Sequence, residues 1–182
     1  GRLQMQDSTL QANTLGEFDG GLMDIQLTES LHADSTPFYF NALASKALGR
    51  GKGGAIAIKA SEFTLNRVQL ETNTLTEANA GNIDLELTRL TLLEGAGITS
   101  TALGRGKGGQ LTVKASESVL VAGRSIGSHL KDGVRLTDFP SLMDNTGLSA
   151  EGNSLGGGDI NLTTQRLDLV SGMISSASFG KG

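Results

Sequence analysis

The run ALGRGKGG occurs at residues 47–54 and again, letter for letter, at residues 102–109. In its first copy Gly49, Gly51 and Gly54 satisfy G-x-G-x-x-G, the spacing by which a dinucleotide-binding loop brings backbone N–H groups up to a pyrophosphate. A second run, GRSIG at 123–127, places Ser125 in the G-x-S-x-G pattern of a nucleophile elbow, with His129 four residues further on. Glu29 and Glu62 are candidates for a carboxylate pair acting on a glycosidic bond. His32 and His129 are the two histidines, and GGGDINL around Asp159 touches on a calcium-binding repeat. Each of these chemistries requires a particular framework, so the framework decides among them.

That framework is a repeat. The glycine that precedes each apolar alternation falls at Gly21, Gly54, Gly81, Gly109 and Gly158, in steps of 33, 27, 28 and 49 residues. Steps of 27 and 28 define the unit, and the longer steps are that unit with about 5 and about 21 residues added. The stretches that follow are GLMDIQL, GAIAIKA, GNIDLEL, GQLTVKA and GDINLTT. Their period of two turns one side chain inward and the next outward, as in a β-strand. A second alternating stretch (FTL, LTL, VLV, LDL) and a third (ITSTALG, ISSASFG) complete each unit. The opening LQMQDSTLQANTLGEFD matches the back half of one unit, so the sequence starts in mid-repeat.

Three short strands in 27–28 residues cannot bury an apolar face alone and must stack on their neighbours. The expected fold is therefore all-β: a parallel β-helix, a solenoid with strands about 4.8 Å apart between turns. Charges give an independent check. Six residues after each first inward position lie Glu29, Glu62, Arg89, Glu117 and Arg166, alternating in sign from Glu62 onward. Lys59, Glu86 and Lys114, three residues after the same anchors, alternate too. Opposite charges on adjacent strands are favourable and like charges are not. Ile56, Ile58, Ile83, Leu85, Leu111, Val113, Ile160 and Leu162 are the expected inward stacks.

Within this framework the tempting motifs lose their chemistry. GRGKGG leads into strands and not into a helix, so no helix N-terminus awaits a pyrophosphate. Its glycines are read as a corner with positive φ and close approach of neighbouring turns. GRSIG lacks the strand–helix context of an elbow and aligns with GAGIT, Ile126 answering to Ile98, so Ser125 reads as a turn residue. Neither histidine has a second histidine at ligand spacing, and the Asp159 pattern does not recur. The Thr72/Thr74/Thr76 steps read as ordinary strand threonines. No catalytic residue, cofactor or metal site is assigned.

Composition agrees. The formal net charge is −4, and lysines and arginines are scattered apart from the two GRGK turns, so a nucleic-acid partner is not expected. Cysteine is absent, which excludes disulfides and thiolate metal sites. No apolar run approaches the roughly 18 residues of a membrane span, and no signal peptide opens the sequence. Twenty-six glycines against seven aromatics point to many tight turns around a core of small aliphatic side chains.

The iterated pattern GGxIxIxA…LxLxxGxxIxSxAxGxG, as in GNIDLELTRLTLLEGAGITSTALGRGKGG, resembles the repeat regions of filamentous-haemagglutinin-like exoproteins, with the cyanobacterial members most similar. These are large bacterial proteins exported by two-partner secretion, and the resemblance covers nearly the whole chain apart from two insertions. It implies a right-handed parallel β-helix, secreted or held at the cell surface, acting as a non-enzymatic adhesin or stalk. It also implies an outer-membrane secretion partner for a longer parent protein, of which residues 1–182 are one β-helical segment. The alternative is a carbohydrate-active β-helix, either a polysaccharide lyase or hydrolase or a carbohydrate-binding module.

Specific recognition is expected in the insertions, about residues 31–42 and 127–147, which hold both prolines, both histidines and Phe38, Tyr39, Phe40 and Phe139. Phe38, Tyr39, Phe40, His129 and Phe139 are the candidate contacts to a carbohydrate or protein ligand. Both insertions leave the same corner, three repeats apart, ahead of the third strands LASKALG and LSAEGNSLG. The stretch STPFYFNALASKALG has an alternative as a short helix, with Ser35 or Thr36 as cap, Pro37 in the first turn and Gly49 as stop.

Overall fold

The structure, a computed structural model, describes residues 1–36, 41–75, 77–125, 139–140, 142–144 and 156–176. The chain begins with β1 (Arg2–Gln6) and β2 (Leu10–Gln11), and a glycine turn leads to β3 (Met23–Gln26), β4 (Ser30–Asp34) and β5 (Asn41–Ala44). From there one long and one short strand alternate: β6 (Ile56–Asn66) with β7 (Val68–Glu71), then β8 (Ile83–Leu93) with β9 (Gly97–Thr99). After β10 (Gln110–Ala122) come the two-residue strands β11 (Arg124–Ser125) and β12 (Phe139–Pro140), then β13 (Leu142–Asp144). β14 (Asp159–Val170) and β15 (Met173–Ser175) follow.

Among the described residues the fold is all-β, and the strands pair in parallel between successive repeats. One sheet runs β1-β4-β6-β8-β10-β14, with β3 paired to the first half of β6; the other runs β2-β5-β7-β9-β13-β15. The register follows the repeat: Ile56 stands beside Ile83 and Ile83 beside Leu111. β1 lies beside Ser30–Asp34, the second half of its neighbour, so the opening residues do occupy the back half of a unit. A third line of contact is a row of single parallel bridges, Thr14–Ala47–Thr74–Ala102.

The long strands fuse what the sequence presents as a first and a second strand. In β6 the inward residues are Ile56, Ile58 and Ala60, then Phe63 and Leu65. Two consecutive outward residues, Ser61 and Glu62, shift the phase of the alternation and mark a bend between two legs. β8 repeats this with Ile83, Leu85 and Leu87, then Leu90 and Leu92. β10 makes the bend with a bulge between Ala115 and Ser118. The stacked apolar columns form one core with Leu43, Leu70 and Ile98 from the short strands. Ile56, Ile58, Ile83, Leu85, Leu111 and Val113 are buried as expected, whereas Ile160 and Leu162 are half-buried against the same core.

Three expectations need correction. The first insertion is shorter than 31–42, because Leu31–Asp34 belongs to β4 and lies beside Phe63–Asn66, leaving only residues 35–40 between the sheets. The helical alternative fails at its second half: Asn41–Ala44 is a strand beside Val68–Glu71, and Ala47 bridges to Thr74. The parallel partners offered by the next repeat override the local cap-and-stop signals. Lastly, a short strand after the second insertion is already formed by Leu142–Asp144, and residues 148–155 of the expected LSAEGNSLG lie outside the described residues. Met143, and not Ile126, is the partner of Ile98, so the insertion ends before residue 142 and further extra residues follow it.

Candidate functional site

Both insertions do emerge at one corner, the passage from the long-strand sheet to the short-strand sheet. Elsewhere this corner turns on a residue in the left-handed region: Asp7, Arg67, Glu94 (with Gly95 after it) and Ser171 have positive φ, as does Gly123 at the second departure. At four of these positions the N–H donates to a carbonyl of the next repeat: Asp7 to Asp34, Arg67 to Leu93, Glu94 to Ala122 and Gly123 to Val170. At the first insertion the Ser35 N–H still donates to Asn66 O at 3.0 Å, and residues 37–40 beyond it lie outside the described residues. Two side-chain contacts clamp the neck of this loop. The Asn41 amide donates to Ser35 Oγ at 2.9 Å, buried, and the Thr36 N–H and hydroxyl donate to Asp7 Oδ1 at 2.7 and 3.0 Å. The Thr36 backbone N–H, the largest influence, holds the Asp7 carboxyl below its ordinary range.

The second loop departs through a different neck. Arg124–Ser125 pairs antiparallel with Phe139–Pro140, so the chain returns beside its point of departure before β13 enters the sheet. Of the expected contact residues, Phe139 stands in this neck beside Ser125. Phe38, Tyr39, Phe40 and His129 lie outside the described residues. The two necks are three strand steps apart (β5-β7-β9-β13), about 15 Å at ordinary strand spacing.

The glycine-rich turns occupy the opposite side of each repeat, and here the structure revises the reason for glycine. None of the GRGKGG glycines is among those with positive φ. What requires them is close approach: a Cβ on Gly49 would fall 1.8 Å from Gly16 O, on Gly51 1.9 Å from Phe18 O, and on Gly106 1.8 Å from Ala78 O. Such separations lie far inside van der Waals contact, so any side chain would force neighbouring turns apart.

Buried hydroxyls tie these turns to the short-strand side. Ser45 Oγ donates to Gly21 O, Thr72 Oγ1 to Gly81 O at 2.8 Å and Ser100 Oγ to Gly81 O at 2.6 Å. Ser100 Oγ also accepts from the Gly109 N–H at 3.0 Å. All three side chains are fully buried. Side-chain oxygens of Asp19 and Asn79 accept the backbone N–H of Lys52 and Lys107, satisfying donors that no strand ladder reaches. The serine of the recurring I-x-S-x-A stretch was the available signal for these ties, since a polar residue recurring in an apolar column needs a partner inside.

The expected charge columns are present. Arg89 bridges Glu62 and Glu117, each at 2.8 Å, and Lys59 reaches Glu86 at 2.7 Å. Hydrogen bonding to Glu117 raises the Arg89 pKa, and the Lys59 ammonium lowers that of Glu86. Arg166 keeps the row, standing beside Ser118 as Arg89 does on the other side, but its guanidinium pairs with Asp168 on its own strand. A further column runs through the turns themselves, where Arg50 approaches Glu17 at 3.8 Å and Arg105 approaches Glu77 at 3.6 Å. This explains the 55-residue recurrence of ALGRGKGG. The basic turn occupies every second repeat, facing the acidic turns TLGEFDGG and TLTEANAG.

Along the outer face the bend in the long strands forms an open trough of about 660 Å³. Its walls include Lys59, Glu86 and Lys114 in one row and Ser61, Thr88 and Ser116 in the next. These are hydrogen-bonding groups at strand spacing, suited to an extended polar chain. Glu29 and Glu62, the candidate acid–base pair, are engaged by Arg2 and Arg89. The Arg2 hydrogen bond holds Glu29 below its ordinary pKa, opposite to what a general acid needs. Among the described residues no three His, Asp or Glu side chains converge as a metal site, and no helix is long and apolar enough to cross a membrane. Compared with protein-family models, curated proteins and solved structures, the chain has no match.

Proposed function

We propose that this chain is a segment of a right-handed parallel β-helix from a filamentous-haemagglutinin-like exoprotein, serving outside the bacterial cell as a non-enzymatic adhesive stalk. The observation that carries this reading is the register. Consecutive repeats pair in parallel, in chain order, through both sheets, which is how a chain extends along one axis. Parallel strands joined through a second layer are right-handed in nearly every known case, which supports the hand. The absence of cysteine suits export of an unfolded chain through an outer-membrane secretion partner.

The ligand-binding part of the proposal rests on the corner loops. Two loops held about 15 Å apart on a stiff scaffold can present one face to a carbohydrate or protein. The test is binding of surface-immobilised chain to bacterial or host polysaccharides and to cells. Replacing residues 126–138 with a short Gly-Ser linker should abolish adhesion while leaving the melting transition in place, and Tyr39→Ala should weaken it. Adhesion that survives both changes contradicts the loop assignment. New reducing or unsaturated ends released from a polysaccharide by the intact chain would favour the carbohydrate-active alternative.

A further inference from the structure

The ridge formed by the glycine turns carries an unexplained row of leucines. Thr14, Ala47, Thr74 and Ala102 bridge from turn to turn, and the next residue in each case points out. Those residues are Leu15, Leu48, Leu75 and Leu103, exposed to 79, 38, 49 and 38%. Phe18 on the same ridge is 82% exposed. Four aligned leucines and a phenylalanine on a turn ridge form a contiguous apolar strip, the kind of surface that marks a contact.

The residues around the strip define what fits it. Reading along the stack, the position two after each leucine is Glu17, Arg50, Glu77 and Arg105. The next position is Phe18, Gly51, Ala78 and Gly106, and the one after is Asp19, Lys52, Asn79 and Lys107. Reversing the direction of the stack converts each row into its own complement. Glu17 meets Arg105 and Arg50 meets Glu77; Asp19 meets Lys107; Phe18, the one bulky member of its row, meets Gly106; Leu15 meets Leu103 and Leu48 meets Leu75. Placed side by side in the same direction and register, the ridges would set like charges together and Phe18 against Phe18.

We infer that the ridge is a self-recognition surface, on which a second copy of this chain docks antiparallel about a two-fold axis between Leu48 and Leu75. Such an isologous contact pairs each residue with its mate twice. The intrachain pairs Arg50–Glu17 and Arg105–Glu77 do not oppose this. They are long and their side chains are largely exposed, so each guanidinium can engage a second carboxylate without leaving the first. The four described turns of the ridge offer less than the roughly 1,600 Å² of an ordinary stable interface, so the contact is weak in a short segment and strengthens with each added pair of repeats. The inference stands apart from the adhesive role of the corner loops, which lie on the other side of the stack.

Cysteine trapping tests it directly, because the chain has no cysteine of its own. Leu15→Cys and Leu103→Cys are made as separate single variants on exposed positions outside the core. Mixed at about 1 mM, a concentration at which weak contacts populate, they should form the 15–103 disulfide, while neither variant alone should form a homodimer efficiently. A dominant 15–15 disulfide, or no more crosslinking than a Lys59→Cys variant on the outer face, overturns the proposal. A second arm exchanges charges. Arg50→Glu/Arg105→Glu and Glu17→Arg/Glu77→Arg should each lose self-association by about tenfold or more in dissociation constant. Mixing the two should restore it. If a charge variant does not fold, Leu48→Asn/Leu75→Asn replaces it, with the same expected loss. Association unchanged in the variants, or a ridge occupied only when another protein or a glycan is added, contradicts docking of a second copy.

Discussion

Strands β8 and β14 are written in nearly the same pattern and end in different states. IDLELTRLTLL in β8 buries every second residue of each leg, from Ile83 to Leu92. INLTTQRLDLV in β14 has the same alternation, yet Ile160 and Leu162 are only half-buried, and Leu167 and Leu169 are exposed. The difference lies in the neighbours: β8 sits between β6 and β10, whereas among the described residues β14 is paired with β10 on one side. Burial here is a property of position in the stack and not of the strand, as expected when stability is a sum of repeat and nearest-neighbour terms. The same contrast separates the hydroxyl ties. Ser100 is buried and bonded from both directions, while Ser176, in the equivalent place beside Gly158, is exposed.

The largest effect that would sharpen this contrast is truncation of the central core. Leu85→Ala should cost about 2–5 kcal/mol in chemical denaturation, because a buried side chain leaves a cavity between two fixed neighbours. Leu169→Ala should cost well under about 1 kcal/mol, as expected of an exposed position. Equal losses at the two sites would break the account of the end strand. Next in size is the hydroxyl tie. Ser100→Ala leaves Gly109 N–H and one lone pair of Gly81 O without that partner inside the stack, so a loss of about 1–3 kcal/mol is expected. Ser176→Ala should fall within about 0.5 kcal/mol of the parent.

The smallest effects belong to the outer charges, which are exposed in the middle and at the end alike. Glu86 and Glu29 both titrate below their ordinary value of 4.5 in the folded chain, because Lys59 and Arg2 bind their ionised forms. Their contribution is complete above that pH and is lost as pH falls through the lowered folded values. A thermal melt should therefore be flat just above pH 4.5 and decline below it. Arg89→Glu should lower the melting temperature slightly, and less so in high salt. A large salt-independent drop would mean that the column carries structure and not only charge.

Much of this architecture can be read in the sequence, and the unreadable parts share a cause. The long-strand register is legible because alternation fixes which residues face inward, and Lys59–Glu86 with Glu62–Arg89–Glu117 independently fixes the offset. The short strands are harder: Leu142–Asp144 is three residues long, and its identity depends on the partners Gly97–Thr99, which no local pattern announces. The start of the first insertion is misjudged because LHAD carries inward Leu31 and Ala33 without the xLxL spelling of its neighbours. The left-handed corner is invisible at Asp7 and Arg67, where no glycine marks the turn, and at Glu94 and Ser171 the glycine stands one residue late. The glycines of the GRGKGG turns serve close packing of backbones, which depends on a neighbour several tens of residues away.

Parallel stacking in register sets the core, the charge columns and the corner spacing alike, and one distance tests it. Gln26 and Thr163 occupy the same row of the outer face through Lys59, Glu86 and Lys114, four strand steps apart. Spin labels at Gln26→Cys and Thr163→Cys should report a single narrow distance near 19 Å, four spacings of about 4.8 Å. A distance beyond about 30 Å, more than six such spacings, or a broad distribution without a preferred value would contradict the stack.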